Sequence, residues 1–394
     1  MVMENRVCIV GLGVVEPGGN TRGVAHKELL FHATRRALDD AGIERELIGG
    51  AITASSDFTE GRSLSNQYTL DSIGGVMKPC DLRLAEDGMH ALFAGYMEVM
   101  VDPGLLMVVA AVQKPSERVG RRNGFHKILS ACLDPIYNRP ICNTVPHAES
   151  LEAVFGAMDA RAYMERSRVT EELLARVAVK NINNAAAASG EPATAVEDVL
   201  ASSELAWPLR DLTMAREKDA ACTLILTSEK NAGKLRKEPV FISGVGWSTE
   251  GSHLAARSYG MSPDTQKAAH QAYRMAGIRR PEKEIDLAEV SDWYAHRELI
   301  HVEALGLCDP GETVLRIEDG GFDREGPIPV NVSGGLLGKG NSLIVSGLLR
   351  VAEVARRIRG DAVDVTSRKV CVGLAHSWGG FISPTAGVAV LSKW

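Results

Sequence analysis

Apolar residues recur along this chain in two patterns, as short continuous runs and as stretches with helical spacing. The runs at 6–13 and 240–246 contain glycine toward their ends, and each is followed by an amphipathic stretch, at 32–41 and 267–276. Runs with little alternation predict strands covered on both faces, whereas apolar positions three and four apart predict helices. Both predicted helices end at an Ala-Gly-Ile sequence, in which the glycine is a typical helix stop.

The same order of elements occurs twice. After each first helix, a charged turn leads into a short apolar strand, a further helix and another strand, and the halves close on strands at 220–228 and 385–394. This succession predicts an α/β fold in which the central strands are mainly parallel. We place two domains at 1–238 and 239–394, because a charged stretch precedes the opening strand of the second half.

The first half also contains an insertion, at about 114–200. In it, a loop rich in proline and asparagine at 133–147 precedes two predicted helices, around 151–165 and 170–189. Long loops of this kind often belong to binding or active sites or form contacts between subunits. We therefore expect the insertion and the first-half sheet to contribute to self-association.

Charge and composition exclude several classes of function. The net charge of −6 and the pI of about 6.0 argue against nucleic-acid binding, which needs a basic surface. The basic cluster at 118–122 is interpreted as a solvated loop, with contact to an anionic cofactor as the alternative. Because no run of about 18 apolar residues occurs, we expect no membrane span, and the opening residues show no signal-peptide pattern.

The seven cysteines are scattered, and none forms a C-x-x-C pair. This spacing indicates neither a zinc site nor a disulfide framework, so we expect buried, inert thiols in a reducing, cytoplasmic environment. His296 and His301 are five residues apart, which is not the spacing of a metal-binding pair on a helix. The sequence thus predicts no metal site.

Three segments carry a resemblance to a known family. They are EVSDWYAHRELIHVEALGLC at 289–308, NVSGGLLGKGNSLIVSG at 331–347 and AHSWGG at 375–380. Together they resemble the thiolase superfamily, and specifically its sterol-carrier-protein and archaeal type. The resemblance implies a thiolase fold, in which two similar βαβαβαββ halves form a five-layered αβαβα core. It also implies a coenzyme A thioester as substrate, no covalently bound cofactor and a dimer.

The positions that carry the chemistry of the family are altered in this chain. A cysteine at the start of the second first-half helix, predicted at 83–100, takes the acyl group in the family, but the matching residue is Ala85. The nearby Cys80 precedes that helix and is a weak alternative. Two family histidines become Ser291 and Asn341, which can donate hydrogen bonds but cannot act as bases. For Asn341, a helix cap is the structural alternative.

One candidate base remains in the sequence. The resemblance places His376 at an acid–base position, so the predicted catalytic set is His376, Asn341 and Ser291, with a hydrogen-bonded structural histidine as the alternative for His376. His90 lies close enough along the chain to approach the same pocket. The predicted substrate-binding residues are Gly334, Gly335, Gly340, Ala85 and Tyr294, of which the glycines would let the backbone approach the ligand.

Three functions stay open from the sequence. The first is chemistry on an acyl-CoA, in which a C–C bond next to the thioester forms or breaks, as in 3-ketoacyl-CoA thiolases, acyltransferases or aldol-type enzymes. The second is a non-catalytic thiolase-like subunit that pairs with an active chain, and the third is an acyl-CoA or lipid binding module. Because Ala85 replaces the nucleophile, it stays open whether the chain is an enzyme. The resemblance implies a homodimer or heteromer, with a zinc-containing OB-fold subunit as a further possible partner.

Overall fold

A computed structural model gives the fold of this chain. It describes residues 6–19, 21–57, 67–117, 151–235, 238–251, 257–362, 368–381 and 384–394. The predicted loop at 133–147, the basic cluster at 118–122 and two cysteines, Cys132 and Cys142, lie outside the described residues. Among the described residues, no helix is long and apolar enough to cross a membrane.

Nine strands form one mixed sheet, and two short strands pair with each other after the insertion. The first-half strands are β1 (Val7–Val15), β2 (Gly50–Ala54), β3 (Cys80–Leu84), β4 (Met107–Gln113), β5 (Glu204–Ala206), β6 (Leu209–Arg210) and β7 (Ala220–Ser228). The second-half strands are β8 (Val240–Thr249), β9 (Leu287–Glu289), β10 (Val372–Trp378) and β11 (Thr385–Ser392). In the large sheet they lie in the order β3-β2-β4-β7-β1-β8-β11-β10-β9.

The strand order repeats about the contact between β1 and β8. Outward from that contact, the first half runs β1, β7, β4, β2 and β3, and the second runs β8, β11, β10 and β9. In the first half, β3 pairs in parallel with β2. At the equivalent place in the second half, a parallel bridge joins Ala288 and Val330. The repeat predicted from the sequence is therefore a structural repeat. The division at residue 238 stays a prediction.

The expectation of mainly parallel strands is wrong. Among the described residues, three of the eight pairings in the large sheet are parallel, namely β2–β3, β2–β4 and β9–β10. Each half ends with a strand that returns antiparallel to its neighbours, and the two halves join antiparallel. Strands buried on both faces have the same apolar pattern in either orientation, so the pattern could not separate the two.

Thirteen α-helices occur in the described residues. They are α1 (His26–Ala41), α2 (Gln67–Ile73), α3 (Gly88–Val101), α4 (Leu151–Ser167), α5 (Glu171–Ser189), α6 (Val196–Ala201), α7 (Glu229–Ala232), α8 (Pro263–Ala276), α9 (Pro281–Glu284), α10 (Ala295–Ala304), α11 (Thr313–Glu318), α12 (Gly335–Lys339) and α13 (Ser346–Arg359). The two helices predicted in the insertion are α4 and α5. The predicted helix stops are confirmed, since Gly42 and Gly277 end α1 and α8 with φ of 67° and 75°.

Two helices, α3 and α13, lie between the two halves of the sheet. They contact each other, and each contacts strands of both halves. Their apolar side chains form one buried cluster with residues of the strands, including Met89, Leu92, Leu348 and Val351. On the outer faces, α1 covers the first half and α8 covers the second. This layering is the five-layered αβαβα core that the resemblance implies.

Candidate functional site

The start of α3 is where the resemblance places the acyl-accepting cysteine of the family. β3 ends at Leu84, Ala85 is exposed in the turn that follows, and α3 begins at Gly88. The sequence predicted a helix from residue 83, but Arg83 and Leu84 belong to the strand. The helix starts later because Asp87 is its N-cap, with its carboxylate accepting a hydrogen bond from the Met89 N–H at 2.8 Å.

Cys80 does not replace the nucleophile. It opens β3, whereas Ala85 follows the end of that strand, so roughly 13 Å of extended chain separates Cys80 from the strand end. Burial, with the nearby carboxylate of Glu98, raises the pKa of the Cys80 thiol. A thiol with a raised pKa is a weak nucleophile, which agrees with the expectation of inert cysteines.

Asp87 joins the N-terminal ends of the two central helices. Besides the Met89 bond, its second carboxylate oxygen accepts the backbone N–H of Gly347, in the first turn of α13, at 3.2 Å. A Cβ on Gly347 would lie 1.9 Å from the Asp87 carboxylate, so this contact requires glycine. Burial raises the pKa of Asp87 to about 6, although the guanidinium of Arg350 and the hydroxyl of Ser377 lower it.

Asn341 lies at the same end of α13. Its side-chain oxygen accepts the Leu343 N–H at 2.8 Å and the Ser346 hydroxyl at 3.1 Å, so it stabilises the turn that leads into α13, although the N-cap residue of α13 is Val345. Its amide nitrogen is buried and has no hydrogen-bond partner among the described residues. Asn341 contacts Ser346 and Asp87 contacts Gly347, and these two residues are consecutive, so Asn341 and Asp87 both contact the first turn of α13. The free N–H₂ is a donor available to a ligand there.

His376 and Ser377 lie on opposite faces of β10. The His376 ring contacts Thr265 of α8 and His301 of α10, in the outer layer. The Ser377 hydroxyl lies beside Asp87 in the central layer. This alternation is the ordinary period of a strand. The prediction that His376 joins Asn341 in one site is therefore not supported, and Ser377 is the residue of β10 that faces the central helices.

The hydrogen bonds of His376 fix where its proton lies. Its Nδ1 accepts the backbone N–H of Ser291 at 3.3 Å, and its Nε2 lies 3.1 Å from the Thr265 hydroxyl. Burial and the charges of Arg350 and Arg297 hold the pKa of His376 well below its usual value, so the ring is neutral. A neutral ring that accepts at Nδ1 carries its proton on Nε2 and donates to Thr265. Both nitrogens are thus engaged, as in the structural alternative.

Ser291 sits between two imidazole rings. Its carbonyl accepts from His301 Nδ1 at 2.6 Å, while its N–H donates to His376, and the two rings are 4.4 Å apart between centroids. The Ser291 hydroxyl is buried without a partner among the described residues. Its role as a donor stays a prediction, and its backbone contacts place it with His376 rather than with Asn341.

The glycines of the loop at 331–347 serve packing. Their φ angles are 106° at Gly334, 57° at Gly335 and 104° at Gly340. A Cβ at these positions would meet Ala185 at 2.5 Å, Asp292 at 2.2 Å and Lys218 at 2.2 Å, respectively. The Cβ side of each glycine is therefore filled by protein, so packing requires glycine at these positions, while their role in substrate binding stays a prediction.

The N-terminus of α12 is occupied as well. Asp292 accepts the backbone N–H groups of Leu336 at 2.7 Å and Leu337 at 3.1 Å, together with the side-chain amide of Asn181 at 2.8 Å. A cavity beside it, lined by Gly335, Gly340 and other residues, has a volume of only ≈ 30 Å³. Such a cavity has room for water but not for an acyl group.

Tyr294, predicted to bind the substrate, is part of the core, and His90, predicted to approach the pocket, lies at the margin of the core. The Tyr294 hydroxyl donates to the backbone carbonyl of Glu152 at 3.1 Å, and its ring stacks on Trp293. Its role in substrate binding stays a prediction, which this contact does not support. His90 is half-buried against Phe93, and burial lowers its pKa to about 4.

The structure brings together residues that the sequence pattern did not predict as one site. Asp87 and Ser377 are not among the predicted site residues, and on β10 only His376 was predicted to belong to the site. A signal for Ser377 was available in the sequence. In a strand at 372–378, alternate residues point to the same face, so Ser377 and His376 must point to opposite faces. For His301, the sequence indicated only that its spacing from His296 is not that of a metal-binding pair. Within the described residues, no group of three or more His, Cys, Asp or Glu side chains could hold a metal ion.

Comparison with known proteins identifies the family. Residues 246–393 match the family model described as "Thiolase C-terminal domain-like". The chain is 34% identical to the acetyl-CoA acetyltransferase of Methanothermobacter thermautotrophicus, over 98% of this chain and 99% of that one. It is 27% identical to the 17-hydroxy-3-oxo-4-pregnene-20-carboxyl-CoA lyase of Mycobacterium tuberculosis, over 92% and 94%.

Solved structures agree on the fold. The structure titled "Ltp2-ChsH2(DUF35) aldolase" superposes with a TM-score of 0.80 at 23% identity and covers 98% of this chain and 97% of that chain. The identity over nearly the whole of both chains shows that this protein belongs to the thiolase superfamily, as a member of its sterol-carrier-protein and archaeal type that lacks the nucleophilic cysteine.

Proposed function

We propose that this protein binds an acyl-CoA thioester and makes or breaks the C–C bond next to the thioester by aldol-type chemistry, without an acyl-enzyme. The observation that carries the proposal is Ala85 at the start of α3, where the family has its acyl-accepting cysteine. A methyl group cannot attack a thioester, and Cys80 lies at the opposite end of β3 from Ala85. Thiolysis therefore lacks its nucleophile, whereas aldol chemistry needs only proton transfer.

The chemistry of an aldol cleavage fits the groups that remain. In a 3-hydroxyacyl-CoA, a base takes the hydroxyl proton, the O–H electrons form a carbonyl, and the Cα–Cβ electrons move onto the thioester as an enolate. A proton then returns to Cα. The enolate oxygen needs donors, and the Asn341 amide is a buried donor with no partner among the described residues.

Relatives support this class of reaction. The lyase of Mycobacterium tuberculosis and the steroid side-chain-cleaving aldolase of Thermomonospora curvata, each 27% identical, are named for bond cleavage. The structure with the TM-score of 0.80 is titled as an aldolase of two named components. We therefore propose that the chain works in a complex, with a second protein that receives part of the coenzyme A ester.

The decisive experiment separates the two kinds of chemistry. The pure chain is incubated with acetoacetyl-CoA, quenched with acid and weighed by intact mass spectrometry. We expect no acyl adduct on wild type. Because Ala85 is exposed, the Ala85→Cys variant, alkylated with iodoacetamide, is the control for access to this position. An acyl adduct on any native cysteine would overturn the proposal.

A second candidate is a non-catalytic thiolase-like subunit. One observation favours it, since the protein's own carboxylates, Asp87 and Asp292, already occupy the N-terminal ends of α3, α13 and α12. Calorimetric titration with butyryl-CoA, on the chain and on its natural complex, distinguishes the two. Binding supports the catalytic candidate, and its absence in both samples supports the structural one.

A further inference from the structure

Asp87 differs from an ordinary helix-capping residue. An ordinary capping carboxylate is solvated and serves one helix, whereas Asp87 is 7% exposed and accepts backbone N–H groups from two helices. Burial raises its pKa to about 6. A buried carboxyl group that can exist both protonated and ionised near neutral pH is suited to general acid–base catalysis.

The surroundings of Asp87 contain few charges. From α13, the guanidinium of Arg350 faces it, and from β10 the uncharged hydroxyl of Ser377 lies beside it. Arg350 is shared, because it also interacts with the buried carboxylates of Asp292 and Glu289. The Nε and Nη2 atoms of Arg350 have no hydrogen-bond partner among the described residues. Arg350 thus offsets part of the cost of ionising the buried Asp87 carboxyl group without forming a close ion pair with it.

The position of Asp87 matches the need of the reaction. It lies two residues beyond Ala85, at the N-terminal end of α3, and it shares the first turn of α13 with Asn341. The free amide of Asn341 is a second, independent sign of a ligand at this end of the helices, since buried donors are normally paired. A carboxylate and an amide donor there form a base and an oxygen-binding group.

We propose that Asp87 is the acid–base group of this site. The inference rests on the proposed function. A lone pair of the Asp87 carboxylate takes either the Cα proton of an acyl-CoA or the 3-hydroxyl proton of a 3-hydroxyacyl-CoA. In the first case, the Cα–H electrons pass to the thioester oxygen as an enolate. In the second case, the O–H electrons form the new carbonyl, the Cα–Cβ bond breaks, and its electrons pass to the thioester oxygen. The Asn341 amide binds that oxygen in both cases. The protonated Asp87 then returns its proton to Cα, so no external acid or base is consumed.

The test follows the exchange of Cα protons of butyryl-CoA in deuterium oxide, by mass spectrometry, with binding measured by calorimetry on the same samples. We expect Asp87→Asn to bind within about threefold of wild type but to lose exchange at least about 100-fold. Asp198→Ser is the matched control, because it removes an exposed capping carboxylate in α6 and should leave both unchanged. Exchange in Asp87→Asn within twofold of wild type would overturn the role.

A second measurement covers the case in which Asp87→Asn does not fold. In wild type, exchange should rise with pH and level off with an apparent pKa near 6, which reports ionisation of Asp87. A flat profile between pH 5 and 8 would overturn the role. Wild type that binds butyryl-CoA without any exchange overturns the role of Asp87 alone, whereas wild type that does not bind overturns the proposed function and this role with it.

Discussion

The junction of α3 and α13 predicts a large effect of one methyl group. In Gly347→Ala, the new Cβ would lie 1.9 Å from the Asp87 carboxylate and 3.0 Å from both Asp87 Cγ and Met89 Cβ. The carboxylate must move by more than 1 Å, which breaks its hydrogen bonds at 2.8 Å to Met89 N–H and at 3.2 Å to Gly347 N–H. Each hydrogen bond to a charged group contributes about 1.5–3 kcal/mol.

The expected loss follows from these terms. Alanine in a helix recovers about 1 kcal/mol relative to glycine, so the net loss of unfolding free energy is about 2–5 kcal/mol. The measurement is urea unfolding at pH 7 followed by circular dichroism, with the midpoint compared at constant slope. The matched control is Gly233→Ala, because Gly233 has an ordinary helical φ of −60° and its Cβ would meet nothing within 4 Å. The control should be neutral or slightly stabilised.

A rescue variant tests the cause of the loss. In Asp87→Ser, the hydroxyl oxygen takes a place near that of Asp87 Cγ, which is 3.0 Å from the new Cβ rather than 1.9 Å. We therefore expect Gly347→Ala to cost less than about 1 kcal/mol in the Asp87→Ser background, so that the two changes are strongly coupled. If Gly347→Ala behaves like Gly233→Ala in wild type, the contact between Asp87 and α13 is refuted.

Three further predictions concern other parts of the molecule. Since burial raises the pKa of Asp87 from 3.8 to about 6, the stability that its protonated form contributes is full below about pH 4 and is lost as the pH rises through about 6. Between pH 4 and pH 8, the unfolding free energy of wild type, measured in urea, should therefore fall by up to about 3 kcal/mol relative to that of Asp87→Ser. Parallel plots of unfolding free energy against pH for the two proteins would contradict this. Leu82 is exposed on β3, the edge strand of the large sheet, and an exposed edge strand can pair with a second copy of the chain, so we expect wild type to sediment as a dimer. The Leu82→Lys variant should sediment as a monomer, and a monomeric wild type would contradict the prediction. Tyr294→Phe removes the hydrogen bond to the Glu152 carbonyl and should lower the unfolding free energy by about 1 kcal/mol without changing butyryl-CoA binding, whereas weaker binding would restore Tyr294 to the site.

The elements were readable from the sequence because their signals are local. The strand at 220–228 and the helix stops at Gly42 and Gly277 follow from apolar runs and from glycine at positive φ. Strand direction was not readable, since a strand covered on both faces presents the same apolar run in either orientation. The start of α3 was placed five residues early, because the capping role of Asp87 shows only when its bond to the Met89 N–H is known.

The site itself depends on contacts between distant parts of the chain. That Ala85 stands where the resemblance places the nucleophilic cysteine was visible from the motif alone. That Asp87 meets Gly347, 260 positions away, was not visible, and this contact turns a capping residue into a candidate acid–base group. Likewise, the glycines at 334, 335 and 340 suggest a ligand loop by composition, but Ala185, Asp292 and Lys218 fill the space beside them.

The register of β10 has an evolutionary consequence. Its residues pair one to one with β11 from Val372 to Trp378, without a bulge, and this pairing keeps His376 outward and Ser377 inward. A shift of one residue inverts every side chain of a strand, so a single insertion before His376 would turn the imidazole toward Asp87 and the hydroxyl toward Thr265. The insertion of one codon would therefore change which reactive group of β10 faces the central helices. In descendants of this fold, histidine could replace serine beside Asp87 without any substitution.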